Sequence, residues 1–80
     1  MTKYNALILW LGLNNKIKQI EEDINSYSKK SADILYYEVM DADKEKTVIL
    51  YAKKRAELDD KQRHLKRWAM NIEKEYKLFD

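Results

Sequence analysis

The chain of 80 residues contains no cysteine, no proline and a single glycine. Without cysteine it has no disulfides and no thiolate ligands for a metal, and nothing points to an oxidising compartment. The lack of proline, with Gly12 as the one glycine, argues against a turn-rich β architecture. The composition instead favours helices.

The sequence also lacks the usual signatures of catalysis and of cofactor binding. It has no glycine-rich phosphate loop, and its carboxylates are not placed by an identifiable scaffold. His64 is the only histidine. Asp60 lies four residues before it, but two ligands on an exposed helix face make a weak metal site. We therefore expect a non-enzymatic protein with no catalytic residues, no metal site and no cofactor.

Hydrophobic runs are short. The most apolar stretch covers eight residues, Ala6 to Leu13, whereas a bilayer span needs about 20. This stretch matches a signal-peptide core poorly, because Asn14, Asn15 and Lys16 stand where small cleavage-site residues belong. We expect a cytoplasmic chain with no membrane span, in which residues 6–13 begin a buried helix.

The size and charge of the chain fit one small helical domain over residues 1–80. Hydrophobic residues make up 45% and charged residues 38% of the chain, a balance typical of a folded helical protein. The net charge of +2 creates no global basic field that would require nucleic acid or an anionic membrane. Because so short a chain has little core, we expect a homodimer or a bound partner to add stability.

The strongest pattern lies between Asp43 and Phe79. Apolar residues recur there every seven positions over five heptads, and a second line runs three residues behind. No glycine or proline interrupts this segment, so it predicts a long amphipathic helix. The two lines are Tyr51, Leu58, Leu65, Ile72 and Phe79, and Val48, Arg55, Gln62, Ala69 and Tyr76.

The first half of the chain carries a similar pattern. Its two lines are Leu13, Ile20, Tyr27 and Ile34, and Trp10, Ile17, Ile24 and Ser31. Residues 25–31 are rich in Asn and Ser, which compete for backbone hydrogen bonds. A break there would give three helices. Residues 34–51 are rich in β-formers, so a β-hairpin pairing Ile34–Met40 with Thr47–Tyr51 is another alternative, although the connector lacks a tight-turn residue.

The two helical patterns match each other in an antiparallel arrangement. A turn near Asp41–Asp43 makes the numbers of facing residues add up to about 85. The resulting pairs are Ile34 with Tyr51, Tyr27 with Leu58, Ile20 with Leu65, Leu13 with Ile72, and Ala6 with Phe79. The predicted fold is therefore all-α, an antiparallel, coiled-coil-like hairpin of long amphipathic helices that dimerisation or a partner completes.

Two helices cannot bury the apolar residues that collect at the two ends of such a hairpin. At one end are Ile8, Leu9, Leu11 and Leu78, and at the other Leu35, Tyr36, Tyr37, Val39, Met40, Ile49 and Leu50. We predict that a partner protein binds Ile8, Leu9, Leu11, Tyr36, Tyr37 and Met40. The leading hypothesis is an adaptor, assembly factor or inhibitor, and the composition suits an accessory protein of a phage or plasmid.

The alternative hypothesis is a dimeric RNA- or DNA-binding regulator. Its candidate site is a basic stripe made of Lys46, Lys53, Arg63, Arg67 and Lys74. Seven residues of helix span about 10.5 Å, so this stripe can follow a phosphate backbone. Trp68 beside Arg67 offers a stacking surface, although its place next to Leu65 predicts burial. Pairs four residues apart, such as Lys53 with Glu57, explain much of this charge as helix support.

Overall fold

Two helices of equal length form the protein. The computed structural model describes residues 1–79, in which α1 spans Lys3–Tyr37 and α2 spans Ala42–Tyr76, each with 35 residues. The helices pack against each other as a hairpin that measures 56 × 16 × 16 Å. The predicted all-α hairpin of long, coiled-coil-like helices is thus confirmed.

Both alternative architectures are wrong. Helix α1 runs without a break through residues 25–31, because the Asn and Ser side chains there interrupt neither the backbone ladder nor the seam on either side. Residues 34–37 lie in α1 and residues 47–51 lie in α2, and residues 1–79 contain no strand. The apolar β-formers in these segments therefore follow the helical pattern of their neighbours.

Polar side chains cap the first turn of each helix. The hydroxyl oxygen of Thr2 accepts a hydrogen bond from the backbone N–H of Asn5, at 3.1 Å. The carboxylate of Asp41 accepts one from the backbone N–H of Lys44, at 2.8 Å. Each cap satisfies a backbone donor that the helix itself leaves free. Asp41 therefore fixes the position at which α2 begins.

The connection between the helices lies earlier than predicted. We expected a turn at Asp41–Asp43, but Asp41 already caps α2, so residues 38–41 make the connection. Lys44 ties this segment to α2, because its ammonium group lies 3.8 Å from the Glu38 carboxylate and donates to the Val39 carbonyl at 3.0 Å.

The buried residues follow the predicted seam. They are Ala6, Leu13, Ile20 and Ile24 on α1, and Gln62, Ala69 and Ile72 on α2. Leu13 and Ile72 belong to one core cluster, as their predicted pairing requires. Nearer the connection, however, the Tyr27 ring packs at a tilt against the Tyr51 ring, with centroids 5.6 Å apart, whereas we had paired Tyr51 with Ile34. Because the turn comes earlier than predicted, the α1 residue that faces Tyr51 has a lower number than we expected.

The end of α2 folds back onto α1. Lys77 adopts the left-handed conformation, with φ of 49°, and the backbone N–H groups of Lys77 and Leu78 both bond to the carbonyl of Glu73. This cap turns the chain so that the Phe79 ring meets the Trp10 ring edge to face, with centroids 4.8 Å apart. The folded-back segment therefore covers the core cluster at the end of the hairpin opposite the connection.

Candidate protein-interaction surfaces

The end of the hairpin at the connection carries a large exposed apolar surface, which we call the tip surface. It consists of Leu35, Tyr36, Tyr37, Val39, Met40, Ile49 and Leu50. Their exposed fractions range from 44% for Met40 to 85% for Tyr37 and Val39. Single exposed apolar residues are ordinary, but seven of them between residues 35 and 50 make this end of the hairpin a candidate interaction surface.

The tip surface is exposed because the seam ends before the apolar sequence does. Helix α1 stops at Tyr37, and Glu38 has extended backbone angles, so Val39 leaves the helix pair altogether. On α2, Val48 and Tyr51 occupy the seam and are half-buried, which leaves Ile49 and Leu50 between them to face solvent. The predicted site residues Tyr36, Tyr37 and Met40 all lie on this surface.

A shallow groove runs along one flank of the hairpin next to the tip surface, and we call it the tip groove. Its volume is about 390 Å³. Small side chains and apolar side chains line it together with Arg55 and Asp59. The small side chains are Ser28, Ser31, Ala32, Ala52 and Ala56. Side chains of this size leave room for a side chain of a second helix.

The opposite end of the hairpin, which we call the open end, exposes a smaller apolar set. Ile8 and Leu11 are just over half exposed, as predicted for partner-binding residues, and Tyr4 lies on the same stripe of α1. Leu9 differs, because it is only partly exposed and packs against the core cluster. Leu9 therefore contributes to the fold, and we leave it out of the candidate surface.

The basic stripe lies on the outer face of α2, as predicted. Lys46, Lys53, Arg63, Arg67 and Lys74 are all exposed. In residues 1–79 the salt bridges are Lys44–Glu38 and Arg63–Asp60, so the expected pair between Lys53 and Glu57 is not formed. Ion pairs between residues four apart within α2 therefore account for fewer of these basic side chains than we predicted. The Arg63 guanidinium lies 3.2 Å from Asp60, which interrupts the stripe at its middle.

Trp68 was predicted to be buried, and this is wrong. It is 49% exposed, although Leu65 and Ala69 beside it pack in the core. Trp68 lies beside the seam positions Leu65 and Ala69 but does not occupy a seam position itself, so its ring stays half exposed. Trp68 therefore remains available beside Arg67 on the outer surface of α2.

Within residues 1–79, no three His, Cys, Asp or Glu residues come close enough to share a metal ion, and His64 is exposed. Neither α1 nor α2 has a segment of the length and hydropathy that crossing a bilayer requires.

Sequence reasoning missed the tip groove. Its signal was present in the spacing, because Ala52 and Ala56 lie four residues apart and Ser28 and Ser31 lie three apart on the facing helix. Small residues on one flank of both helices make a groove only once the helices are in register. The register depended on the turn, which we had placed too late.

The fold and its surfaces define a class, a helical hairpin whose notable exposed features are an apolar tip and a basic outer face. Comparison with known proteins adds no closer assignment, since no family model, curated protein or solved structure matches the chain.

Proposed function

We propose that this chain is a small non-enzymatic interaction module that docks on another protein through the tip surface. The tip surface carries the proposal, since it exposes seven large apolar side chains on a segment of 16 residues. Once docked, the module acts as an adaptor, an assembly factor or an inhibitor.

The chemistry of the tip surface suits protein recognition. Tyr36 and Tyr37 are more than four-fifths exposed at the end of α1. Tyrosine is enriched in the energetic centres of interfaces, because its ring buries a large apolar area and its hydroxyl still finds a hydrogen-bond partner. Val39 and Met40 extend this surface with aliphatic and adaptable side chains. A partner with an apolar pocket and a polar rim fits such a surface.

Affinity capture with matched tyrosine variants tests the proposal. The wild type, Tyr37→Ser and Tyr4→Ser are used as baits in nuclease-treated lysate of the native cells. Both tyrosines are highly exposed, but Tyr4 lies at the open end. We expect one protein to be captured by the wild type and by Tyr4→Ser, and to bind Tyr37→Ser at least about tenfold more weakly. Equal capture by both variants would contradict docking at the tip.

A second candidate function is nucleic-acid binding by the basic stripe. The observation that favours it is that Lys46, Lys53, Arg67 and Lys74 are exposed and form no salt bridge within residues 1–79. Charge reversal at Lys53, Arg67 and Lys74 should then abolish binding to RNA or duplex DNA. The wild-type affinity should also fall with salt, by close to one unit of log–log slope per phosphate neutralised. Wild-type affinity that is weak and insensitive to salt would exclude this function.

We also propose that the module is a homodimer. Apart from Ala6, every core side chain keeps some exposure, and the buried set has only six apolar members. A pair of helices with so thin a core gains stability when a second pair covers its flank. Sedimentation of the purified chain over a range of concentrations measures this directly.

A further inference from the structure

The hairpin exposes more surface than a folded monomer of its mass. Its accessible area is 6311 Å² for 9.7 kDa, whereas monomeric proteins of this mass expose about 5,100 Å². The surplus of about 1,200 Å² exceeds the roughly 800 Å² that each partner buries in a standard interface. A second copy of the chain can therefore cover this surplus. Of the tip surface, it would reach only Leu35 and Tyr36, which line the tip groove, and Tyr37, Val39 and Met40 would stay free.

The surplus includes a flank that is continuous along the hairpin. On α2, the residues of this flank alternate by four and three positions, as in a coiled-coil seam. They are Ala52, Ala56, Asp59, Arg63, Lys66, Met70 and Glu73. The tip groove lies at one end of the flank, and a second groove of about 270 Å³, lined by Trp10 and Met70, lies at the other. The flank therefore has small side chains at the tip and large side chains at the open end.

Charge is distributed unequally along the hairpin. The open-end half, residues 1–20 and 62–79, contains eight Lys and Arg residues and two Glu residues, which gives it a net charge of +6. The tip half, residues 21–61, contains eight Lys and Arg residues and eleven Asp and Glu residues, which gives it a net charge of −3. A parallel pair of hairpins would place like charges together, whereas a head-to-tail pair places each basic half beside an acidic half.

We infer that two copies pack head to tail through this flank as a four-helix bundle. This inference rests on the proposed homodimer and specifies its surface and its direction. A two-fold axis near residue 61 sets Ala52 of one copy opposite Met70 of the other, so that the large, exposed Met70 side chain enters the tip groove. The same axis sets Asp59 opposite Arg63 of the second copy. The contact is self-complementary, as two-fold symmetry requires.

Matched serine variants test the surface. Ser28 lines the tip groove, and Ser26, two residues away on the same helix, lines the opposite flank. We expect the wild type to sediment at twice 9.7 kDa, and Ser28→Glu to raise the dimer dissociation constant at least tenfold while Ser26→Glu leaves it unchanged. Circular dichroism verifies that both variants stay helical. A wild type that is monomeric at all concentrations, or equal effects of the two variants, would overturn the inference.

Cysteine crosslinking tests the direction, since the native chain has no cysteine. Residues 52 and 70 are about 27 Å apart along α2, so a short bismaleimide cannot bridge two copies at the wrong end. We expect crosslinked dimers when Ala52→Cys is mixed with Met70→Cys, and little product from either variant alone. Efficient self-crosslinking of Ala52→Cys would overturn the head-to-tail arrangement. A failure of the dimer tests can be told apart from a failure of partner docking. The capture experiment changes Tyr37, which does not line the tip groove.

Discussion

The side-chain amide of Gln62 crosses the seam from α2 and donates to the backbone carbonyl of Ile17 on α1, at 3.4 Å. It also donates to the carboxylate of Glu21, one turn further along α1. Gln62 is the buried polar side chain among residues 1–79, with 7% exposure. This contact therefore joins the two helices at a point where neighbouring pairs are apolar.

Gln62→Leu should leave the free energy of unfolding unchanged or raise it by up to about 1 kcal/mol. The Ile17 carbonyl keeps its bond within α1, and Glu21 is exposed, so neither group is left unsatisfied. Gln62→Ala should cost about 1 kcal/mol, because it leaves a gap without a gain in apolar burial. Urea denaturation measures both variants. A loss above about 1 kcal/mol for Gln62→Leu would show that the polar contact stabilises the seam.

Two leucines on α1 provide a matched test of the core. Leu13 is 7% exposed in the core cluster, whereas Leu11 is 54% exposed. Leu13→Ala should lower the free energy of unfolding by about 2–5 kcal/mol, because it removes buried methyl groups and leaves a cavity. Leu11→Ala should change it by less than about 0.5 kcal/mol. Similar shifts in the urea midpoint for the two variants would mean that the buried face of α1 is assigned incorrectly.

Gly12 is an exposed glycine in the middle of a helix. A methyl group built at this position meets nothing within 4 Å, and the residue has no positive φ. Gly12→Ala should therefore stabilise the protein by about 1 kcal/mol, since alanine loses less backbone entropy in a helix. Thermal unfolding should show a higher midpoint. An unchanged or lower midpoint would indicate that a neighbour occupies this face of α1, as a partner or second copy would.

The cap at the start of α2 gives a further prediction. Asp41→Ala should cost about 1 kcal/mol, because it removes the acceptor of the Lys44 backbone N–H. Asp41→Ser keeps an acceptor oxygen at the same position, so it should restore most of this loss. Equal unfolding free energies for the alanine and serine variants would show that the carboxylate acts through charge instead of through the cap.

Periodicity predicted the helices and most of their seam, although Arg55 and Phe79, which we had assigned to the seam, are exposed. All seven buried residues, from Ala6 to Ile72, belong to the predicted seam, because a sustained heptad pattern determines which face of a helix is buried. The cap at Asp41 was also predictable from residue type. Tyr36, Tyr37 and Met40 were correctly placed at the surface for another reason, because two helices cannot bury every apolar residue at the end of a hairpin.

The details that depend on helix ends were less predictable. The turn was placed two to three residues too late, because the heptad lines determine which face of each helix is buried but not the residue at which α1 ends. This error shifted the expected partner of Tyr51 and concealed the tip groove. Leu9 and Trp68 were misjudged for a related reason. Both lie at the edge of the seam, where burial depends on the distance between the helices and not on spacing alone.

Photocrosslinking in the native cells tests partner docking at the tip most directly. Benzoylphenylalanine replaces Tyr37 in one variant and Tyr4 in another, two tyrosines that are both highly exposed but lie at opposite ends of the hairpin. We predict that position 37 forms a discrete adduct with a different protein, heavier than a crosslinked pair of this chain, and that position 4 does not. The absence of such an adduct from position 37, or the same adduct from both positions, would contradict docking through the tip surface.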